Sequence, residues 1–490
     1  MARCLSGASK TVFFAVMSIF NNTWIDLSMA SRTSHNSPSP TAELSRFLVE
    51  LANKIDSRLL DLAHYRLADT TAAMVFGCGL PWARAVIDHA LSLNSTGKST
   101  VVGSSGISAN PVMAALANGT SAHAFELDDV HEEAINHPGA VVVPVALALA
   151  EELNRSGREL LEAIVIGYEA MGRAGIAVGP VSHMLSGFHP TSMSGVFGAT
   201  AAASCLLNFD EIQLNHAFGI ASSMASGTME FVASGGMTKR LHAGRAAEGG
   251  LTAALLAARG FEGPEDGLAG RYGFCRVFSD EPQTELLTED LGTRWMMDEI
   301  TVKPYAACSD IHPLIQAATQ LRLEYDIQAE DVQEIHAEAP LKAVTQNDMD
   351  GTASVMAAQY SAQFNIAAAL VSDPSDPDTY REERISDPSL AAMQSKVLSI
   401  RYAEEFEATY AWKMGGRITI TLVDGSKLTK TVHGQKGSMH DRLNFDELSQ
   451  KFARLTAGRA NPQLAAIIES TIDAQSLEKL TKALRQGDIS

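Results

Sequence analysis

Residues 126–139 read Glu-Leu-Asp-Asp-Val-His-Glu-Glu-Ala-Ile-Asn-His-Pro-Gly, and the stretches on either side, 111–124 and 140–150, are small and apolar. Five acids (Glu126, Asp128, Asp129, Glu132, Glu133) and two histidines (His131, His137) are thus inserted between segments composed like protein interior. Such flanks can be buried only if the charged run between them loops into water or finds partners inside. The pattern favours partners. On a helix Glu126 and Asp129 share a face at i,i+3, while Leu127 and Val130 turn to the core. His137-Pro138-Gly139 then breaks that helix and leaves an imidazole at the entrance of the next. Titratable groups set between core segments are where acid–base chemistry is tuned.

The texture around this run sets the fold class. From Thr41, Leu44, Phe47, Leu48, Leu51 and Ile55 recur at helical spacing, and further helices are expected over 59–77, 83–93, 139–153, 158–177, 193–207 and 214–225. Small residues at this density suit tightly packed helices rather than a sheet. Only 99–103 resembles a strand in this part. Glu169, flanked by core positions, is expected to pair with Arg173 one turn on. Past Trp295 the pattern changes: 299–305 and 332–337 alternate, and 417–432 reads as a hairpin turning at Asp424-Gly425. Helices are expected at 311–323 and 353–371, and helical periodicity returns over 443–484. The expected fold is mainly α, with a large all-helical domain formed by both ends of the chain, 41–299 and 437–490. A smaller α+β lid domain, 300–436, is inserted in it.

The first forty residues differ from the rest. Arg3 and Lys10 precede a short apolar run, 11–20, and no acid comes before Asp26, a faint likeness to a signal or transit peptide. The run is too short to span a bilayer. The other reading starts the working protein at Met29 with a disordered Ser/Pro-rich lead, 31–40. The expected location is the cytoplasm, or the mitochondrion if the lead is a transit peptide.

Charge and cysteines exclude several classes. The 490 residues are 46% hydrophobic, enough for a sizeable core. A net charge of -19, from 38 basic and 57 acidic residues, argues against nucleic-acid binding. Neither nucleic acid nor membrane is an expected partner. Five dispersed cysteines without a Cys-x-x-Cys exclude a disulfide framework, a zinc ribbon and an ordinary iron–sulfur motif, and fit a reducing compartment.

A second informative stretch is Gly235-Gly236-Met237-Thr238-Lys239-Arg240-Leu241-His242-Ala243-Gly244-Arg245. Lys239, His242 and Arg245 follow at i,i+3 and form a local anion site, helped by a helix N-terminus. A solvated basic stripe is the alternative, weakened by the apolar continuation at 251–258. No Gly-Lys-Ser/Thr follows the glycines, so this is not a P-loop. His189, in Gly187-Phe188-His189-Pro190-Thr191-Ser192, stands just before a helix that Thr191 or Ser192 would cap. No His-Glu-x-x-His, dinucleotide fingerprint or Gly-x-Ser-x-Gly is present. The chemistry that fits is cofactor-free proton transfer beside a carboxylate: elimination, decarboxylation or epimerisation.

The run from Glu126 through His137, together with Gly167-Tyr168-Glu169, Gly187-Phe188-His189-Pro190-Thr191, Gly236-Met237-x-Lys239-x-Leu241-His242-Ala243-Gly244 and Lys303-Pro304-Tyr305, resembles the MmgE/PrpD family. The resemblance extends from Thr41 to the C-terminus, and the acid run matches the spacing of the family's fungal cis-aconitate decarboxylases without a gap. It implies a homodimeric lyase acting on a citrate- or aconitate-type polycarboxylate, with no cofactor, no metal and an active site between helical body and lid. Decarboxylation of cis-aconitate to itaconate comes first. Dehydration of 2-methylcitrate or another 2-alkylcitrate comes second, then epimerisation or isomerisation of a dicarboxylate, then a non-catalytic acid-binding dimer.

Carried over by position, the resemblance makes His137, His189, Lys239, Glu126 and Asp129 the catalytic candidates. Asp128, His131, Arg240, His242, Arg245, Cys308, His312, Gln359 and Ser361 are the substrate-binding candidates. Two departures stand out: Val130 where many relatives have Thr, and Phe364 near where a Tyr is often found.

Overall fold

Tight helix crossings account for the abundance of small residues. In the computed structural model, which describes residues 38–485 except 53, 94, 235, 352 and 411, the N-terminal half is a succession of helices. They are α1 (Pro40–Ala52), α2 (Ser57–Gly77), α3 (Pro81–Ser92), α4 (Pro111–Ala122), α5 (Gly139–Glu152), α6 (Gly157–Ala177), α7 (Pro190–Leu206), α8 (Glu211–Ser222) and α9 (Thr238–Ala257). Short polar side chains set their starts: the Asp56 carboxylate accepts the Leu59 amide at 2.8 Å to begin α2, and Ser156 and Glu159 form a capping box for α6. Helix α7 packs between α6 and α9, and α9 crosses α4. A Cβ on Gly198 would lie 2.7 Å from the Met171 Cβ, and one on Gly250 would lie 2.3 Å from the Val196 carbonyl oxygen. Backbones approach this closely only where side chains are small.

Two short strand pairs come first, β1 (Ser99–Thr100) with β2 (Ser108–Ala109) and β3 (Val130–His131) with β4 (Ile300–Thr301), and the C-terminal half adds the larger sheet. Four strands, β5 (Val332–Ala339), β6 (Val397–Tyr402), β7 (Gly415–Leu422) and β8 (Lys427–His433), lie in the order β6-β5-β7-β8. Only β5–β6 is parallel. The expected hairpin is present, with Gly415 opposite His433 and Thr421 opposite Lys427. Helix α10 (His312–Tyr325) covers β7 and β8 and packs on a later helix, Ala362–Val371. The chain then returns to its beginning, for the helix Phe445–Thr456 packs against α2. The protein is mainly α, with small sheets, and from Ser39 onward its contacts form one compact unit. Among the described residues no single helix is long and apolar enough to cross a membrane.

Three local expectations change. The strand expected at 299–305 is only the pair β4 (Ile300–Thr301), bonded to β3 (Val130–His131). The helix expected over 353–371 divides at Ser361, whose hydroxyl accepts the Phe364 amide at 3.1 Å and restarts it. Strand β6 was not expected; it is an edge strand whose Leu398 and Tyr402 are exposed, which blurs the alternation. Residues 1–37 of the proposed lead, with Cys4 and Met29, and also Gly235, lie outside the described residues, and the last residue of that lead, Pro40, already begins α1. The four described cysteines are free thiols.

Candidate active site

The acid run is not a helix. Between the end of α4 and Gly139 the chain is irregular, Glu126 has φ +57°, and β3 closes on β4. Its side chains serve as acceptors instead, which removes the shared face expected for Glu126 and Asp129. Asp129 faces the start of α5, taking the Gly139 amide at 2.8 Å and the Tyr168 hydroxyl at 2.6 Å. Gly139 must be a glycine, since a Cβ would stand 2.7 Å from Asp129 Oδ1 and 2.5 Å from Thr70 Oγ1. Burial pushes the Asp129 carboxyl up to about 6 against the nearby Arg66 guanidinium. Lys451, from the C-terminal helix, donates to the Leu127 carbonyl at 2.8 Å and to Asp69 at 2.6 Å, so the far end of the chain holds this loop.

Asp128 lies behind the histidines. It accepts His123 Nδ1–H at 2.6 Å and is 3.3 Å from His137 Nδ1, and these rings outweigh burial to hold its carboxyl well below the usual range. His137 Nδ1 also donates to the Asp129 carbonyl oxygen at 2.7 Å, which leaves Nε2 without a proton in the neutral ring. Burial lowers His137 to about 3, and Lys303 adds to this while Asp128 opposes it. His189 is lowered well below its ordinary value by burial and by His242, whose Nδ1 is 3.0 Å from its own. His242 itself falls to about 4, again through burial. These three rings are neutral near pH 7.

The cationic side is built around Glu126. Lys239 and Lys303 each donate to one of its oxygens, Lys303 at 3.1 Å, and Lys239 also donates to the Tyr360 hydroxyl at 2.7 Å. Burial raises the Glu126 pKa, but the two ammonium groups outweigh it and hold the carboxyl well below its usual range. Glu126, His137, His189, Lys239 and Cys308 all line one cleft. Burial pushes the Cys308 thiol up to about 12, so it is protonated there.

Other candidates stand elsewhere. Arg240 stacks over the Trp82 ring at 4.2 Å and donates to the Ala124 carbonyl. Arg245 is exposed and pairs with Glu248, so the expected stripe of three cations divides between cleft and solvent within two turns. His131 is 3.5 Å from Glu299, His312 is 3.1 Å from the Ala307 carbonyl, Gln359 donates to the Phe125 carbonyl at 2.9 Å, and Ser361 caps its helix. Asp128, Asp129 and these four support the cleft from outside its lining. His189, rather than Thr191 or Ser192, occupies the cap position of α7, and the Thr191 hydroxyl accepts the His137 amide at 3.2 Å. Val130 lines the cleft, whereas Phe364 is buried away from it.

Several lining residues escaped the sequence reading. Lys303 was visible only as part of a motif, Tyr360 and Asp310 lie beside the candidates Gln359, Ser361 and Cys308 without having been singled out, and Lys342 had no local pattern to mark it. His123 ends α4, inside a run read as apolar. Among the described residues, His123, Asp128 and His137 are the group with metal-ligand spacing, their ligand atoms lying within 4.8 Å of one another. Hydrogen bonds already occupy Nδ1 of both rings and Asp128 Oδ2, an arrangement that orients the histidines.

Fold and site together define a mainly α protein whose histidines and lysines gather in one cleft, the groups that acid–base catalysis beside an anion requires. The MmgE/PrpD N-terminal domain matches residues 42–287 and the MmgE/PrpD C-terminal domain matches residues 305–476. The chain belongs to the MmgE/PrpD family. It is similar to the cis-aconitate decarboxylase of Aspergillus terreus (strain NIH 2624 / FGSC A1156), 28% identical over 464 residues, covering 90% of this chain and 94% of that one. The human cis-aconitate decarboxylase is 27% identical over 450 residues, 88% of this chain and 91% of its own. The cis-aconitate decarboxylase-like protein oryM of Aspergillus oryzae is 27% identical over 456 residues, 88% and 93%.

Proposed function

We propose that this lyase acts on a citrate- or aconitate-type polycarboxylate, with decarboxylation of cis-aconitate to itaconate as the first reading. The observation that carries it is the joint placement of two neutral histidines, His137 and His189, beside the Lys239–Glu126–Lys303 cluster in one cleft. The names of the relatives support the same choice. In this reaction the bond to the departing carboxylate breaks and its electron pair becomes a new C=C. The old double bond takes a proton at the carbon beside another carboxylate. Lys239 and Lys303 stabilise the negative charge spread over the allylic system. The bound anion raises the pKa of the facing histidine, which can then deliver the proton.

A second reading is dehydration of a 2-alkylcitrate. Val130, Ile135, Met184, Met229, Phe231 and Val232 give the cleft an apolar side, which a compact tricarboxylate leaves uncovered and an alkyl branch fills. Here His137 Nε2 removes the proton beside a carboxylate, and the hydroxyl leaves as water with a proton from His189.

Proton NMR of the purified protein with cis-aconitate and, separately, 2-methylcitrate tests both. Itaconate and carbon dioxide from the first acid support decarboxylation, and loss of water from the second supports dehydration. If both acids persist unchanged, the two readings fail. The homodimer that the family resemblance implies is a further proposal, tested by sedimentation equilibrium.

A further inference from the structure

We infer that Lys342, with Ser309 and Gln346, forms a second carboxylate subsite in the cleft, separate from the Lys239–Lys303 cluster. This rests on the reading that the ligand is a polycarboxylate. Lys342 is at the start of a short helix, Leu341–Gln346, that follows β5 directly through Pro340, so the sheet fixes its backbone. Its ammonium lies 3.1 Å from Asp310 Oδ2 and 5.8 Å from the centre of the Tyr410 ring. Lys342 and Asp310 both line the cleft.

Two resident carboxylates thus occupy the cleft, and they are held differently. Glu126 depends on Lys239 and Lys303, one for each oxygen. Asp310 has donors besides Lys342: the Tyr410 hydroxyl is 3.1 Å from Oδ1 and the Cys308 thiol is 3.3 Å from Oδ2. When the Lys342 ammonium turns toward a ligand carboxylate, Asp310 therefore keeps a hydrogen bond on each oxygen. Glu126 has no such reserve, so Lys342 is the lysine most easily shared with a ligand. The Ser309 hydroxyl and the Gln346 amide line the same wall and make no side-chain hydrogen bond among the described residues.

Charge balance points the same way. Three lysines and two carboxylates line the cleft, so a ligand anion meets a net positive field with cations at two separate carboxylates. As a stability device alone the Lys342–Asp310 pair is a poor choice, since burying two charges commonly costs as much as their attraction returns. A mobile ammonium able to meet an incoming carboxylate gives the pair a purpose at the cleft wall.

The test is calorimetric titration of the intact protein with tricarballylate, a tricarboxylate with neither hydroxyl nor double bond to react, and with butyrate. The proteins are wild type, Lys342→Gln, and the double variant Lys342→Gln/Asp310→Asn, which leaves no unpaired charge if the single variant folds poorly. The expected result is an affinity for tricarballylate at least tenfold weaker in the variants, with butyrate unchanged within twofold. Unchanged tricarballylate affinity in a folded variant overturns the subsite while the polycarboxylate reading stands. If wild type does not bind tricarballylate, that reading fails and the subsite falls with it.

Discussion

His137 turns its Nδ1 onto the Asp129 carbonyl oxygen, 2.7 Å away, and so presents the other ring nitrogen to the cleft. The backbone carbonyl sets the tautomer, and the Asp128 carboxylate, 3.3 Å from the same nitrogen, favours the proton there as well. A ring held this way, neutral because burial drives it to about 3, is a prepared proton acceptor and, once an anion binds, a donor.

Replacing His137 by Gln retains an amide able to reach the Asp129 carbonyl but removes the titratable nitrogen. The expected loss in kcat is about 10²–10⁴-fold with little change in melting temperature. Initial rates by proton NMR on whichever acid the wild type consumes would decide it; a variant within a few-fold of wild type removes His137 from the chemistry.

Glu126 is buried between two ammonium groups, and Glu126→Gln leaves both without their counter-charge. The free variant should be less stable by about 3 kcal/mol, the cost of breaking a buried ion pair from one side. Tricarballylate should then raise its melting temperature more than it raises that of wild type, because the ligand supplies the missing negative charge. Equal thermal shifts in the two proteins would show that Glu126 does not compete with a bound anion.

Lys239 offers a more direct test of charge stabilisation. Lys239→Ala should lower kcat/KM by about 10²–10³-fold if its ammonium acts on developing negative charge as an oxyanion donor does. Activity within a few-fold of wild type would sink that role.

The division between what was legible and what was not follows sequence distance. Helical spacing announced α1 to α3 and α5 to α9 because their buried faces repeat locally, whereas α4 was read only as a small, apolar stretch; the Glu169–Arg173 pair, 2.6 Å apart, needed only the i,i+4 rule. Glu126, His137, His189 and Lys239 could be named because each lies in a dense local motif, and they share one cleft. The acid run was misread as helical because i,i+3 spacing says nothing about a Glu at φ +57° or an Asp that serves the next helix. Lys303, Tyr360 and Lys342 reach the cleft from separate elements of the C-terminal half, with a helix and strand β5 between the first and the last, and no local pattern encodes that meeting. Arg245 shows the reverse error, a regular spacing that passes from the cleft at Lys239 to solvent within two turns.

Glu132 gives a pH dependence with a definite sign. Its carboxyl, buried with the Thr301 hydroxyl and the Gln435 amide, is pushed up to about 7 by burial, against 4.5 ordinarily. The folded state therefore holds a proton that the unfolded chain has released, so this group's contribution is fully present below 4.5 and is lost as pH rises through 7. The shift corresponds to about 3 kcal/mol. Glu132→Gln removes the titration, so its melting temperature should gain on wild type from pH 5 to pH 7 and level off by pH 8. A difference that stays constant across that range would contradict the assignment.

The crossing of α4 and α9 sets the distance between the loop that carries Glu126 and the helix that carries Lys239. A Cβ on Gly244 would stand 2.3 Å from the Leu116 carbonyl oxygen and 2.4 Å from Thr120 Oγ1, so α9 would have to move off α4. On the same helix a Cβ on Gly249 meets nothing nearer than the Met224 Cβ at 3.5 Å, ordinary contact. The same substitution should therefore have opposite signs five residues apart. Gly249→Ala gains helix propensity, up to about 1 kcal/mol. Gly244→Ala loses about 1–3 kcal/mol to overpacking, and its turnover should fall further than its folded fraction because Lys239 and His242 shift with the helix. Chemical denaturation of the two variants measures the first effect, and rates normalised to folded protein measure the second. Equal stability changes at the two glycines would show that the crossing does not set the site.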